Sequence, residues 1–217
     1  TIASAVFALA VLLNYKKIPK WLAVVLSIII LVTSAMPSMG ANVGGAISEC
    51  VAYLLFILLI FDVKLDLKKI IMIGVATVLV VVAFAGLDFL MGSESHLSVF
   101  TNQIIQEGPA AIINTFGRKI QMNMKLAKSS VWVNILIVSI VIIGALIFKP
   151  SGYFKKIHDR YPMIFKGFMA SFVGCIVTLL VNDSGIVAAS TAAIYILIPL
   201  IIISINMSLF DKNKDTE

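Results

Sequence analysis

Charge and sulfur are both scarce in this chain of 217 residues: only 13% of positions are Asp, Glu, Lys or Arg, and there are two cysteines and two histidines. Cys50 and Cys175 fall inside apolar segments with no metal-ligand spacing, which excludes a disulfide framework and a cysteine zinc site. They read as small buried hydrophobes. No P-loop, HExxH, GxSxG or paired CxxC occurs. The last apolar run has no lysine for a Schiff base, which argues against a retinal protein. Acidic residues number 11 against 17 basic ones, a net charge of +6. The lysines sit mostly in short loops between apolar runs, so their partners are lipid headgroups, and no nucleic-acid partner is expected.

Apolar residues are plentiful, at 60% of the chain, more than a soluble domain of this length can hide. They gather into runs over 1–13, 21–36, 45–62, 70–91, 131–148, 163–181 and 185–208. Backbone amides in hydrocarbon need partners within their own segment, so each run predicts a helix. The apolar runs are too continuous for alternating barrel strands. The expected fold is an all-α polytopic transmembrane helix bundle of about seven spans, over 1–208, with a short tail at 209–217. The first run lacks a charged leader and a cleavage site, so no signal peptide is expected. At about 1.5 Å per residue it falls short of a core about 30 Å thick, so the chain is expected to continue a longer protein.

Basic residues mark one side of the membrane. Loops 14–20, 62–69 and 149–162 and the tail carry lysines or arginine, whereas 37–44 and 182–184 carry none. The positive-inside rule places the basic loops and the C-terminus in the cytoplasm. The long outer loop 92–130 differs, because Ile112, Ile113, Phe116, Ile120 and Met124 recur at helical spacing opposite Arg118, Lys119 and Gln121. That pattern predicts an amphipathic interfacial helix whose basic face holds an anionic group or is simply solvated.

Ionisable groups inside spans are costly and mark candidate sites. Glu49, Asp88 and Asp183 each fall near the outer end of a span, and Asn42, His96 and Asn182 lie at a similar level. These six predict an outer-leaflet pocket with Arg118 and Lys119 overhead, able to bind a cation, a metal-bridged phosphate or a sugar headgroup. Structural readings stay open for each: Asp183 or Ser184 as a helix cap, Glu49 as a packing hydrogen bond, Asn42 in a turn and His96 as a loop residue. Asp62, beside Lys64, reads as a boundary residue. Small residues at Gly167, Ser171, Gly174 and Thr178, and along 188–193, predict close packing of the last two spans.

The segments MPSMGANVGGAI (36–47), ESHLSVF (94–100) with FGRKIQMNMKL (116–126), and LVNDSGIVAAS (180–190) occur together. In order and spacing they resemble the C-terminal membrane half of large bacterial envelope proteins. Those proteins carry an alkaline-phosphatase-like or sulfatase-like extracellular domain ahead of the membrane spans. Asn42 stands where that family usually has a small acid. The resemblance implies a plasma-membrane protein with an outward-facing site, an upstream extracellular domain that holds the catalytic metal, and no cofactor in this chain. The expected function is binding of a lipid or lipid-linked anionic substrate for hydrolysis or transfer of a phosphate-linked group. A transporter or flippase, and a non-catalytic anchor or complex subunit, are the alternatives.

Overall fold

A computed structural model describes residues 2–36, 39, 43–91, 103–108, 110–149 and 152–214. Among them the regular structure is helical, with no strand. Most of the helices follow the apolar runs, and two lie in the segments between them. The helices are α1 (Ile2–Asn14), α2 (Lys20–Ala35), α3 (Val43–Ile60), α4 (Leu67–Met91), α5 (Ala110–Ser129), α6 (Trp132–Phe148), α7 (Gly152–Arg160), α8 (Pro162–Val181) and α9 (Gly185–Lys214).

Local chemistry sets the ends. Pro162 occupies the first turn of α8, where its missing N–H costs nothing. Asp66 precedes α4 and accepts from the Lys69 N–H at 2.9 Å, an N-cap. Helices α1 and α3 stop in the same way: Lys16 and Asp62 adopt left-handed backbone with φ of 53° and 58°. The next N–H groups, of Lys17 and Val63, then reach back to Leu12 O at 2.8 Å and Leu58 O at 3.0 Å.

Helix α8 is the axis of the bundle, with α1, α3 and α9 packed around it. A Cβ on Gly167 would lie 2.6 Å from the Ala10 Cβ, and one on Gly174 would lie 2.9 Å from the Ala52 Cβ. The small stripe on α8 therefore admits α1 and α3, whereas the sequence pattern suggested that it served α9. Helices α8 and α9 do pack along each other, through Ile164, Phe168, Cys175, Ala192, Ala193 and Ile196. A second cluster joins α1, α2 and α3 through Val6, Ala10, Ala23, Tyr53 and Phe56.

The exterior identifies the solvent. Only 11% of the apolar window of α4 is buried, and Ile70, Ile71, Val75, Val78, Leu79 and Val82 are all more than half exposed. An apolar face of that extent is stable against lipid and aggregates in water. Four helices, α3, α4, α8 and α9, are long and apolar enough to cross a membrane, and the bent pair α5–α6 makes up to five. The chain is a multi-pass helical membrane protein. The expected count of about seven needs α1, α2 and α6, whose 13, 16 and 17 residues fall below the roughly 20 of a full crossing.

Candidate functional site

Two ends of the bundle carry polar chemistry. The α8–α9 turn lies at one end. Lys20, Asp62 and Arg160 lie at the other, here termed the basic end.

At the turn end, α8 finishes with carbonyls that have no partner in their own helix. Helix α5 supplies partners. Lys119 Nζ donates to Val181 O at 2.7 Å, and Asn123 Nδ2 donates to Leu179 O at 3.1 Å and Asn182 O at 3.4 Å. The same Asn123 accepts from the Ile186 N–H through Oδ1 at 3.2 Å, so one amide joins the end of α8 to the start of α9. Lys119 and Asn123 are four apart and share a face of α5. The ammonium sits at the negative end of the α8 dipole and 3.6 Å from Asp183. Lys119 is 15% exposed and Asp183 68%.

Polar Lys119 and Asn123 face the bundle, whereas Ile113, Phe116, Ile120 and Met124 are exposed. Helix α5 meets α6 at a bend of 102°. Arg118, one residue from Lys119, is exposed.

The candidate residues group differently from the single cavity the sequence suggested. Lys119, Asn182 and Asp183 come together, and Gly44 of α3 abuts them: a Cβ there would lie 3.1 Å from Val181 O and 3.3 Å from the Asn182 Cα. Glu49 is five residues further along α3, about 7 Å inward and about 140° around the helix. Its carboxylate accepts from the Ser34 hydroxyl of α2. Asp88 is fully buried near the end of α4. Asn42 and His96 lie outside the described residues. Lys119 is therefore engaged by the protein itself, whereas Arg118 of the pair predicted overhead is exposed. Among the described residues no group of three His, Cys, Asp or Glu side chains could hold a metal ion.

At the basic end, Asp62 is not a plain boundary residue beside Lys64. Lys166 Nζ donates to Asp62 Oδ1 at 2.5 Å, and Lys20 Nζ lies 3.7 Å from Oδ2. Three segments therefore converge on one carboxylate. Hydrogen bonding from Lys166 and its charge hold the Asp62 carboxyl below its ordinary value, and bonds from Lys69 do the same for Asp66. A carboxylate with a depressed folded value stabilises above the unfolded value and loses that contribution as pH falls through the folded one. Acidification from pH 5 to below 3.8 is therefore expected to lower thermal stability. Asp62→Asn should flatten the slope, as read by scanning fluorimetry across that range.

Sequence reasoning missed Lys166, although a lysine four residues after Pro162 in an apolar run was a readable signal. It also missed a cavity of about 300 Å³ between α1, the start of α8 and the end of α9, with Tyr15, Arg160, Tyr161 and Asn206 at its mouth. Asn206, an amide inside the last apolar run, was its one trace in the sequence.

No family model, curated protein or solved structure matches this chain.

Proposed function

We propose that this chain is the membrane domain of a cell-envelope protein that binds a lipid or lipid-linked anionic substrate at the outer leaflet. An extracellular phosphatase-superfamily domain upstream would hydrolyse or transfer the phosphate-linked group. The observation that carries the reading is the orientation of α5. Ile113, Phe116, Ile120 and Met124 are exposed, which suits a helix lying on lipid, and exposed Arg118 would then stand at headgroup depth. A guanidinium there can grip a phosphate through two parallel hydrogen bonds. Asn182 and Asp183 lie on the same joint, with Glu49 and Asp88 deeper at that end of the bundle.

Direction supports seven passes. Gly167 lies by Ala10 and Gly174 by Ile2 and Ala52, while Gly44 lies by Asn182, so α8 runs antiparallel to α1 and α3 as alternating passes require. The short helices would cross where neighbours locally thin the bilayer. The basic end, with Lys16, Lys17, Lys20, Lys64, Lys68 and Lys69, then faces the cytoplasm of a plasma membrane, and so does the C-terminus.

The test is headgroup release from phosphatidylglycerol by the full-length protein in proteoliposomes. Arg118→Gln combined with Asp183→Asn is expected to lower turnover about tenfold or more, the worth of a charge-assisted hydrogen bond. Unchanged turnover with normal membrane insertion would count against the proposal. A transporter is the second reading, favoured by the cavity at the basic end, which puts polar groups on both sides of the bundle. Substrate flux in the same proteoliposomes, without headgroup release, would select it.

A further inference from the structure

We infer that the groove between α1, α8 and α9 at the basic end is a binding site for one anionic phospholipid of the leaflet on that side. The inference stands apart from the outer-leaflet reading, because it uses the opposite end of the bundle.

The groove has the anatomy of an amphiphile. Its walls are Phe7, Val11, Ile164, Ile203 and Met207, and its floor is fixed by Phe7 stacked on Phe168 at 5.7 Å and 8°. From Phe7 to Tyr15 it is about 12 Å deep, by the rise of α1. Its volume of about 300 Å³ matches the lower end of sites for small ligands. Apolar walls give water no partners, so an apolar chain fills such a space better than solvent does. Exposed Leu12, Ile202 and Ile205 on the same two helices place this side of the bundle against lipid.

The mouth is chemically different. Arg160 lies 5.8 Å from the centroid of the Tyr161 ring, and Tyr15 packs on Tyr161 with centroids 6.4 Å apart. Stacking holds the guanidinium at the rim, where Asn206 adds an amide. Lys16 and Lys17 follow Tyr15 directly. The acid next to Arg160 in sequence, Asp159, is engaged by His158 at 2.8 Å. Lys16, Lys17 and Arg160 still outnumber Asp159 there, so the net charge at the mouth is positive, and basic pockets between helices on the positive side of a membrane protein suit anionic headgroups. Phosphate would sit between Arg160 and Asn206, with one acyl chain running down toward Phe7.

Native mass spectrometry of the full chain, released from nanodiscs of equal parts phosphatidylglycerol and phosphatidylcholine, tests this. Phosphatidylglycerol should be retained about tenfold over phosphatidylcholine, the worth of a charge-assisted hydrogen bond. Arg160→Gln should abolish that preference, while Lys155→Gln, on the exposed side of α7, should keep it. Val11→Trp fills the groove and should expel either lipid. Ile203→Phe, a smaller filling change from the α9 side, replaces it if Val11→Trp does not assemble. Equal retention of both lipids, preference surviving in Arg160→Gln, matching losses in Lys155→Gln, or a co-purifying peptide in the groove would each overturn the inference.

Discussion

Gly185→Ala is expected to disrupt the joint between α5, α8 and α9 strongly. A Cβ at Gly185 would overlap Leu179 O and sit 2.8 Å from Asn123 Nδ2. The oxygen belongs to backbone at the end of α8 and cannot swing aside as a side chain can. The link between the helices is only Asn182, Asp183 and Ser184, so it has little slack to take up the shift. Overpacking costs about 1–3 kcal/mol where side chains can adjust, and the upper end applies here. For a chain of this size that corresponds to a fall in melting temperature of about 6–12 °C. Thermal unfolding in detergent measures it. Gly86→Ala is the control, since nothing lies within 4 Å of a Cβ there, and it should leave the transition unchanged or slightly raised. Equal melting temperatures for the two variants would show that the joint is looser than the geometry implies.

Asn123→Leu should cost at least as much. The amide meets carbonyls from α8 and an N–H from α9, and leucine meets none of them. Leaving a buried polar group unpartnered costs about 1–3 kcal/mol, so Leu179 O and Ile186 N together put the loss at about 2–6 kcal/mol. Asn123→Asp separates the two halves of the clasp. It keeps an acceptor for Ile186 N–H but has no N–H for Leu179 O, so an intermediate loss is expected. Amide exchange at Ile186 should speed up strongly in Asn123→Leu and little in Asn123→Asp. Identical exchange in the two variants would remove Asn123 from the joint.

Much of the helical layout was legible because it rests on hydropathy. The runs at 21–36, 45–62 and 163–181 become Lys20–Ala35, Val43–Ile60 and Pro162–Val181, ends set by lysines, a positive-φ stop and a proline. The apolar repeat from Ile113 to Met124 likewise lies in one helix, Ala110–Ser129. What hydropathy leaves out is the identity of the neighbour. Gly167 and Gly174 announce a close approach on α8, but periodicity does not say that α1 and α3 make it. Arg118 and Lys119 look alike in sequence, yet about 100° of helical rotation sends one outward and the other onto the end of α8. Lys166 was lost to averaging, since one charge barely lowers the mean of a 20-residue apolar window. The acids near one end of three spans were visible as a set, but their facing was not: Glu49 pairs with Ser34 of α2, away from the turn that holds Asp183.

The central position of α8 has a bearing on biogenesis. Residues of α1 that belong against Gly167 are made about 160 positions before it, which at about 5–20 residues per second is about 8–30 s of translation. Throughout that interval the groove beside Ala10 has no native occupant, and the one beside Ala52 stays open from the time α3 is made. An insertase or lipid is expected to shelter them until α8 leaves the ribosome and enters the bundle between them.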